Sequence, residues 1–391
     1  MRAPTLTLLA LLLAALRPAR ADAEPQVAAS STAAVPLAIG GYVEAYYQWN
    51  FRDPSSGITA ARGFDNRHDS LTLSNAQVEA RWDDGRVFGR LALQVGATPS
   101  SYYLAEPSLA GAPGVNASDG ALWKYLQEAL LGYRLPVGRG LELSAGLYLS
   151  PIGPEQLAVR DDWSWSRSNL FFALPYYHAG LRATARLFEP WSLTLAVCNG
   201  WNSVVDANAQ KSLSLQLSRA GPELSISLLY FGGMERPAGA PEGRPWRHLF
   251  DAHATWRVTR RLALLLHVDA GLEPGTFGVA AWGAVALYAR LQVLEPLWIA
   301  VRGDFFRERV PSSAEGRARP IFWTVPWVSS QTLTVELRPR EGLSLRLELR
   351  HDQAAAELYF GGAVQGDGRA SPWRANRRAQ DTLTLGAVAW F

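Results

Sequence analysis

The feature that most limits what this chain can become is a two-residue alternation of apolar and polar side chains, held for about ten residues at a time and then broken by a turn. In one such run Leu141, Leu143, Ala145, Leu147 and Leu149 fall on one face, and Glu142, Ser144, Gly146, Tyr148 and Ser150 on the other. From residue 37 onward about sixteen segments of this kind can be laid out, near 39–51, 70–82, 87–97, 122–135, 141–150, 179–187, 191–201, 211–218, 223–231, 248–258, 262–272, 278–291, 297–306, 328–338, 343–351 and 381–391. None has the 3.6-residue period of an amphipathic helix. A slip of phase near Asn75 predicts a β-bulge. Strands of about ten residues with one apolar face are what a tilted strand needs to cross a bilayer.

The connections separate a membrane barrel from a soluble β-protein. Every second one is short, as at Asp83 to Arg86, Pro136 to Gly140, Phe188 to Pro190 and Thr259 to Arg261. Those between are mostly long and rich in Gly, Pro, Ser and charge: 52–69, 98–121, 151–178, 202–210, 232–247, 307–327 and 352–380, with Glu273 to Phe277 the short exception. Periplasmic turns and extracellular loops produce that rhythm, and a sandwich or propeller has no reason to keep it. The expectation is an all-β, transmembrane antiparallel barrel of about sixteen strands with both termini periplasmic, a size that encloses an aqueous channel.

Ahead of the alternation, Met1-Arg2, an apolar run from Leu6 to Leu16 and the small residues of Ala19-Arg20-Ala21 read as a signal peptide over 1–21, cleaved before Asp22. Residues 22–36 read as a disordered lead-in and 37–391 as the barrel. The formal net charge of +3 suggests nucleic acid until Arg2, Arg17 and Arg20 are assigned to the leader, which leaves 35 basic against 35 acidic residues. No nucleic-acid partner is therefore expected. Cys198 is the single cysteine, so neither an intramolecular disulfide nor a cysteine zinc site can form.

Gly146-Leu147-Tyr148 followed by Pro151-Ile152-Gly153-Pro154-Glu155, then Ser166-Arg167-Ser168, Pro175 to Arg182 and Asn199-Gly200-Trp201-Asn202, resemble the OmpL-like outer-membrane β-barrel porins. Gly41 to Tyr47 and the closing strand extend the likeness over most of the chain. The resemblance implies an outer-membrane porin of a Gram-negative cell, passive diffusion of small hydrophilic solutes, and outer-membrane lipid around the barrel. The chain ends on Phe391, which resembles the terminal aromatic read by the barrel-insertion machinery. The insert at 151–178 is then the third outer loop, which folds into the channel in general porins. A homotrimer is compatible with the sequence, which does not choose between trimer and monomer.

The candidate constriction residues on that insert are Glu155, Arg160, Asp161, Asp162 and Arg167. Facing them, Glu44, Arg90, Arg182, Arg186, Arg302, Arg346 and Arg350 point inward as pore wall. Arginines on one wall opposite carboxylates on an infolded loop would set a field across the aperture; alternatively they are ion pairs that keep the wall wet. If Val258 pairs with Leu262, then Asp251 faces Asp269 and His253 faces His267, a set that could hold a divalent cation or be merely a polar patch. No cofactor is called for. The motifs G-x-S-x-G and H-E-x-x-H are absent, so an outer-membrane hydrolase, like a loop-plugged structural or adhesive barrel, stands as an alternative to the porin.

Overall fold

The computed structural model describes residues 37–109, 117–208 and 210–391. The signal peptide and lead-in expected at 1–21 and 22–36 lie outside the described residues. The strands are β1 (Leu37–Asn50), β2 (Ser70–Asp83), β3 (Val87–Val95), β4 (Leu126–Leu135), β5 (Leu141–Leu149), β6 (Tyr177–Phe188), β7 (Trp191–Cys198), β8 (Ser212–Arg219) and β9 (Leu224–Met234). They continue as β10 (Trp246–Arg257), β11 (Leu262–Gly275), β12 (Gly278–Leu294), β13 (Leu297–Arg309), the tiny hairpin β14 (Ser312–Ser313) and β15 (Gly316–Arg317), β16 (Trp327–Arg340), β17 (Leu343–Ala354) and β18 (Ala379–Trp390).

Leaving out β14 and β15, sixteen strands pair antiparallel, each with its neighbour in sequence, and β1 closes on β18. The ladder therefore has no free edge, which satisfies every backbone group that lipid could not. The slip near Asn75 is a bulge: Glu44 pairs with Asn75 and Ala45 with Leu73, leaving Ser74 over. In the short turn after β2, Asp84 accepts from Val87 N at 2.6 Å and Arg86 N at 2.8 Å. Those two N–H groups hold its carboxyl below the ordinary range.

Alternation sorts the faces as expected. Leu345, Leu347 and Leu349 stand exposed on the outside of β17, while Ser344, Arg346, Glu348 and Arg350 between them are buried inside. Two boundaries differ from the sequence reading. The segment expected at 122–135 begins as a short helix, Gly120–Trp123, because Asp119 caps it by accepting from Ala121 N and Leu122 N. Strand pairing on the far side of the insert starts at Tyr177, so the segment between β5 and β6 is residues 150–176.

Candidate functional site

A segment outside any sheet must still find partners for its N–H and C=O groups. For residues 150–176 those partners are charged side chains on the inner face of β1, β13 and β17. Glu44 accepts from Val159 N at 2.6 Å, and Glu348 accepts from Trp165 N at 2.5 Å and Ser166 N at 3.0 Å. Arg302 donates to Ser166 O at 2.6 Å, and Arg346 donates to Ser164 O at 2.9 Å and Asp162 O at 2.8 Å. Arg350 donates to Arg167 O, and Asn169 Nδ2 donates to Asp304 Oδ1 at 2.7 Å. The segment thus lies inside the barrel, tied to the inner faces of β1, β13 and β17.

Apolar packing holds it as well. Ile152, Leu170, Ala173 and Leu174 are buried among inward residues Leu229, Phe231, Leu249, Trp282, Ala284, Ala286 and Phe306. Leu170 and Leu174, at 0% and 3% exposure, each contribute on the order of 1.5–3 kcal/mol. Trp165 enters a socket made by a glycine: a Cβ on Gly386 of β18 would meet its ring at 2.1 Å. Two other long connections join in. Phe64, Tyr102, Phe171 and Tyr176 come together, with Tyr102 stacked on Tyr176 at 5.3 Å and Phe171 on Tyr176 at 5.1 Å. Arg62 enters the lumen to meet Asp352 at 3.0 Å and also pairs with Asp65.

The expected field between wall arginines and loop carboxylates takes a different form, because most of these charges are spent on contact. Glu155 pairs directly with Arg302 at 2.9 Å and accepts from Ser168 N at 3.0 Å. Asp162 accepts from Gln156 N at 2.8 Å and pairs with Arg167 at 3.0 Å. Arg167 turns into its own loop, donating to Gln156 O at 2.9 Å and Trp165 O at 2.7 Å. Arg90 is held between Glu79 and Glu128 on the wall.

Four of the expected residues keep some access to water. Asp161 has a side chain 53% exposed, and Arg160, 19% exposed, lies over the Tyr42 ring at 5.3 Å. Arg182 lies over Tyr148 at 4.8 Å and donates to Ser144 Oγ at 3.3 Å, while Arg186 is exposed. Around them the inner face of β5 to β9 is lined by hydroxyls and amides bonded to one another, Thr184 to Thr194 and Ser192 to Ser218 at 2.9 Å each, and Gln216 to Ser227 at 3.0 Å. At the end bearing the short turns, a polar cleft of about 430 Å³ lies between Trp163 and Glu223, Ser225, Thr255, Arg257 and Arg290.

The expected hairpin register is present: Asp251 pairs with Asp269 and His253 with His267. One Ser–His contact also exists, Ser150 Oγ to His178 Nε2 at 3.1 Å, with His178 Nδ1 facing Gly200 O at 3.3 Å. Here the position behind the imidazole holds a carbonyl where a hydrolase triad has a carboxylate. His178 is also 3% exposed and stacked on Phe231. The sequence reading missed the apolar half of the lumen. Its signal was the run Leu170 to Pro175 together with β12, whose Ala280, Trp282, Ala284, Ala286 and Tyr288 make an apolar inward face.

A closed sixteen-strand antiparallel barrel with an apolar outer face and loops drawn into a charged interior is the architecture of an outer-membrane porin. Residues 36–391 match the family described as "Putative beta-barrel porin-2, OmpL-like", and the chain belongs to that family. A search of curated proteins finds no match for the chain.

Solved barrels share the fold at low identity. The anion-selective porin from Comamonas acidovorans is 11% identical with a TM-score of 0.58, over 91% of this chain and 99% of that one. The outer membrane channel DcaP of Acinetobacter baumannii is 11% identical with a TM-score of 0.55, over 92% and 99%. The trimer form of OmpT from Vibrio cholerae is 9% identical with a TM-score of 0.56, over 91% and 99%.

Proposed function

We propose that this porin passes small hydrophilic solutes passively through a lumen narrowed by residues 150–176, along the hydroxyl-lined face of β5 to β9. The observation that carries the reading is the seating of that segment inside the barrel, bonded to Glu44, Arg302, Arg346, Arg350 and Glu348, while β5 to β8 keep half-exposed Ser144, Thr184, Thr194 and Ser218 on the inner face. Water and solute need polar partners on the way, and that face offers them. Arg182, Arg186 and Arg257, against Asp161, favour small anions over cations, while Arg290 and Glu142 are paired with Glu336 and Arg134.

Residues 1–21 serve as the cleaved export leader in this reading, and both ends of the barrel are periplasmic, which places the short turns inside the cell envelope. The assembly is a homotrimer, a form in which one of the similar barrels has been solved. The test is current through the refolded protein in planar bilayers. Wild type is expected to conduct, and removing residues 158–170 to raise conductance while the wall stays closed. A deletion that conducts like wild type would place the loop away from the path, and a wild type that never conducts would leave a plugged barrel.

A further inference from the structure

The hairpin of β10 and β11 carries a cluster that neither the seating of the loop nor the hydroxyl-lined path uses. Asp251, His267 and Asp269 are 3%, 1% and 2% exposed. His267 Nε2 lies 2.8 Å from Asp251 Oδ2 and 3.3 Å from Asp269 Oδ1, and His253 Nδ1 lies 3.1 Å from Asp251 Oδ1.

Counting hydrogens shows what the cluster lacks. The Nε2 atom carries at most one hydrogen, and it bonds to Asp251. Neither oxygen of Asp269 has a hydrogen-bond partner, and His267 Nδ1 has none either. Protonating the imidazole adds its hydrogen at Nδ1, on the far side of the ring from both carboxylates. One hydrogen on Nε2 does not serve the two of them well, so without a cation Asp269 is either a neutral acid or a buried carboxylate short of a donor, and the second is costly.

The geometry supplies a place for a cation instead. One ligand atom each from Asp251, His267 and Asp269 lies within 4.8 Å of the others. The separations of 2.8 and 3.3 Å approach the edge of a zinc tetrahedron, roughly 3.4 Å for ligands about 2.1 Å from the metal. The cross-strand neighbours on β12 are small, Ala284 beside Asp269 and Ala286 beside His267. Above the ring lies Gly153 of the infolded segment, where a Cβ would meet His267 Cε1 at 3.3 Å and Nε2 at 3.6 Å.

We propose that Asp251, His267 and Asp269 bind one divalent transition-metal cation, with His253 orienting Asp251. Two carboxylate oxygens and one imidazole nitrogen, without a thiolate, suit Zn²⁺ or Mn²⁺ and exclude a soft monovalent ion. The ion would lie directly beneath the root of the loop.

The test uses the full barrel refolded in chelator, dialysed, and titrated with Zn²⁺ alone. Binding is read by calorimetry and by metal retained per barrel after desalting, and folding by heat-modifiable migration on a gel. Wild type is expected to retain one equivalent, and Asp269→Asn to bind about tenfold more weakly or worse. Glu357→Gln, at an exposed carboxylate on another connection, should match wild type. If Asp269→Asn does not fold, His253→Ala at the rim of the cluster takes its place and should also weaken binding. Less than stoichiometric zinc on wild type, or undiminished binding by whichever of the two variants folds, would overturn the assignment.

Discussion

Glu348→Ala tests how the infolded segment is held. The carboxylate accepts from Trp165 N at 2.5 Å, Ser166 N at 3.0 Å and Thr334 Oγ1 at 2.8 Å. A hydrogen bond to a charged group contributes about 1.5–3 kcal/mol, so the two loop N–H groups together hold about 3–6 kcal/mol. Water entering the vacated volume restores roughly half of this, leaving a net loss of about 1.5–3 kcal/mol. At about 1.4 kcal/mol per tenfold, the unseated population rises roughly 10- to 150-fold. Single-channel recording reads this as the fraction of time spent at a larger conductance, with heat-modifiable migration confirming a closed barrel. Glu348→Gln, which keeps a carbonyl acceptor, should fall between. Folded Glu348→Ala barrels with wild-type dwell times would refute the idea that wall charges seat the loop.

Other substitutions probe the same architecture. Leu347→Arg places a charge toward lipid and should cost about 2–4 kcal/mol near the midplane, read by folding into vesicles. Arg346→Leu, one residue along, should cost a comparable amount, since it strips donors from Asp162 O, Ser164 O and Glu336; a neutral result would mean that those bonds are replaced by water. Gly386→Leu should expel Trp165 from its socket, shifting tryptophan emission to the red, whereas an unchanged spectrum would locate the ring elsewhere. Asp161→Asn should move the reversal potential toward anions by an amount that shrinks with added salt, and Asp162→Asn, which leaves the Arg167 guanidinium without its carboxylate, should move it in the same direction.

The wall was legible in the sequence because alternation and loop length are local. Even the partnering of His253 with His267 followed from the length of one turn. The interior was legible only in part. Arg302, Arg346 and Arg350 could be assigned to the inner face by phase, yet besides their carboxylates each bonds carbonyl groups of a segment far off in sequence, and a carbonyl carries no residue-specific signature. Gly386 likewise reads as a weak spot in a strand until Trp165 fills it. Where both faces of a strand are apolar, as in β12, alternation loses its phase, and the hydrophobic half of the lumen disappears from view.

Assembly order follows from which strands hold the loop. Residues 150–176 emerge in the first half of the chain, but their partners on β13 and β17 lie 135 to 184 residues further on, and the Trp165 socket is on the closing strand. Contacts so distant along the chain form slowly, since their loop-closure entropy must be met first. The insert can meet β1, β9, β10 and β12 earlier, but its docking is not complete until β17 and β18 are in the wall. The bonds of Arg302, Arg346 and Arg350 to the loop, and the Trp165 socket, are therefore among the last contacts the chain can make.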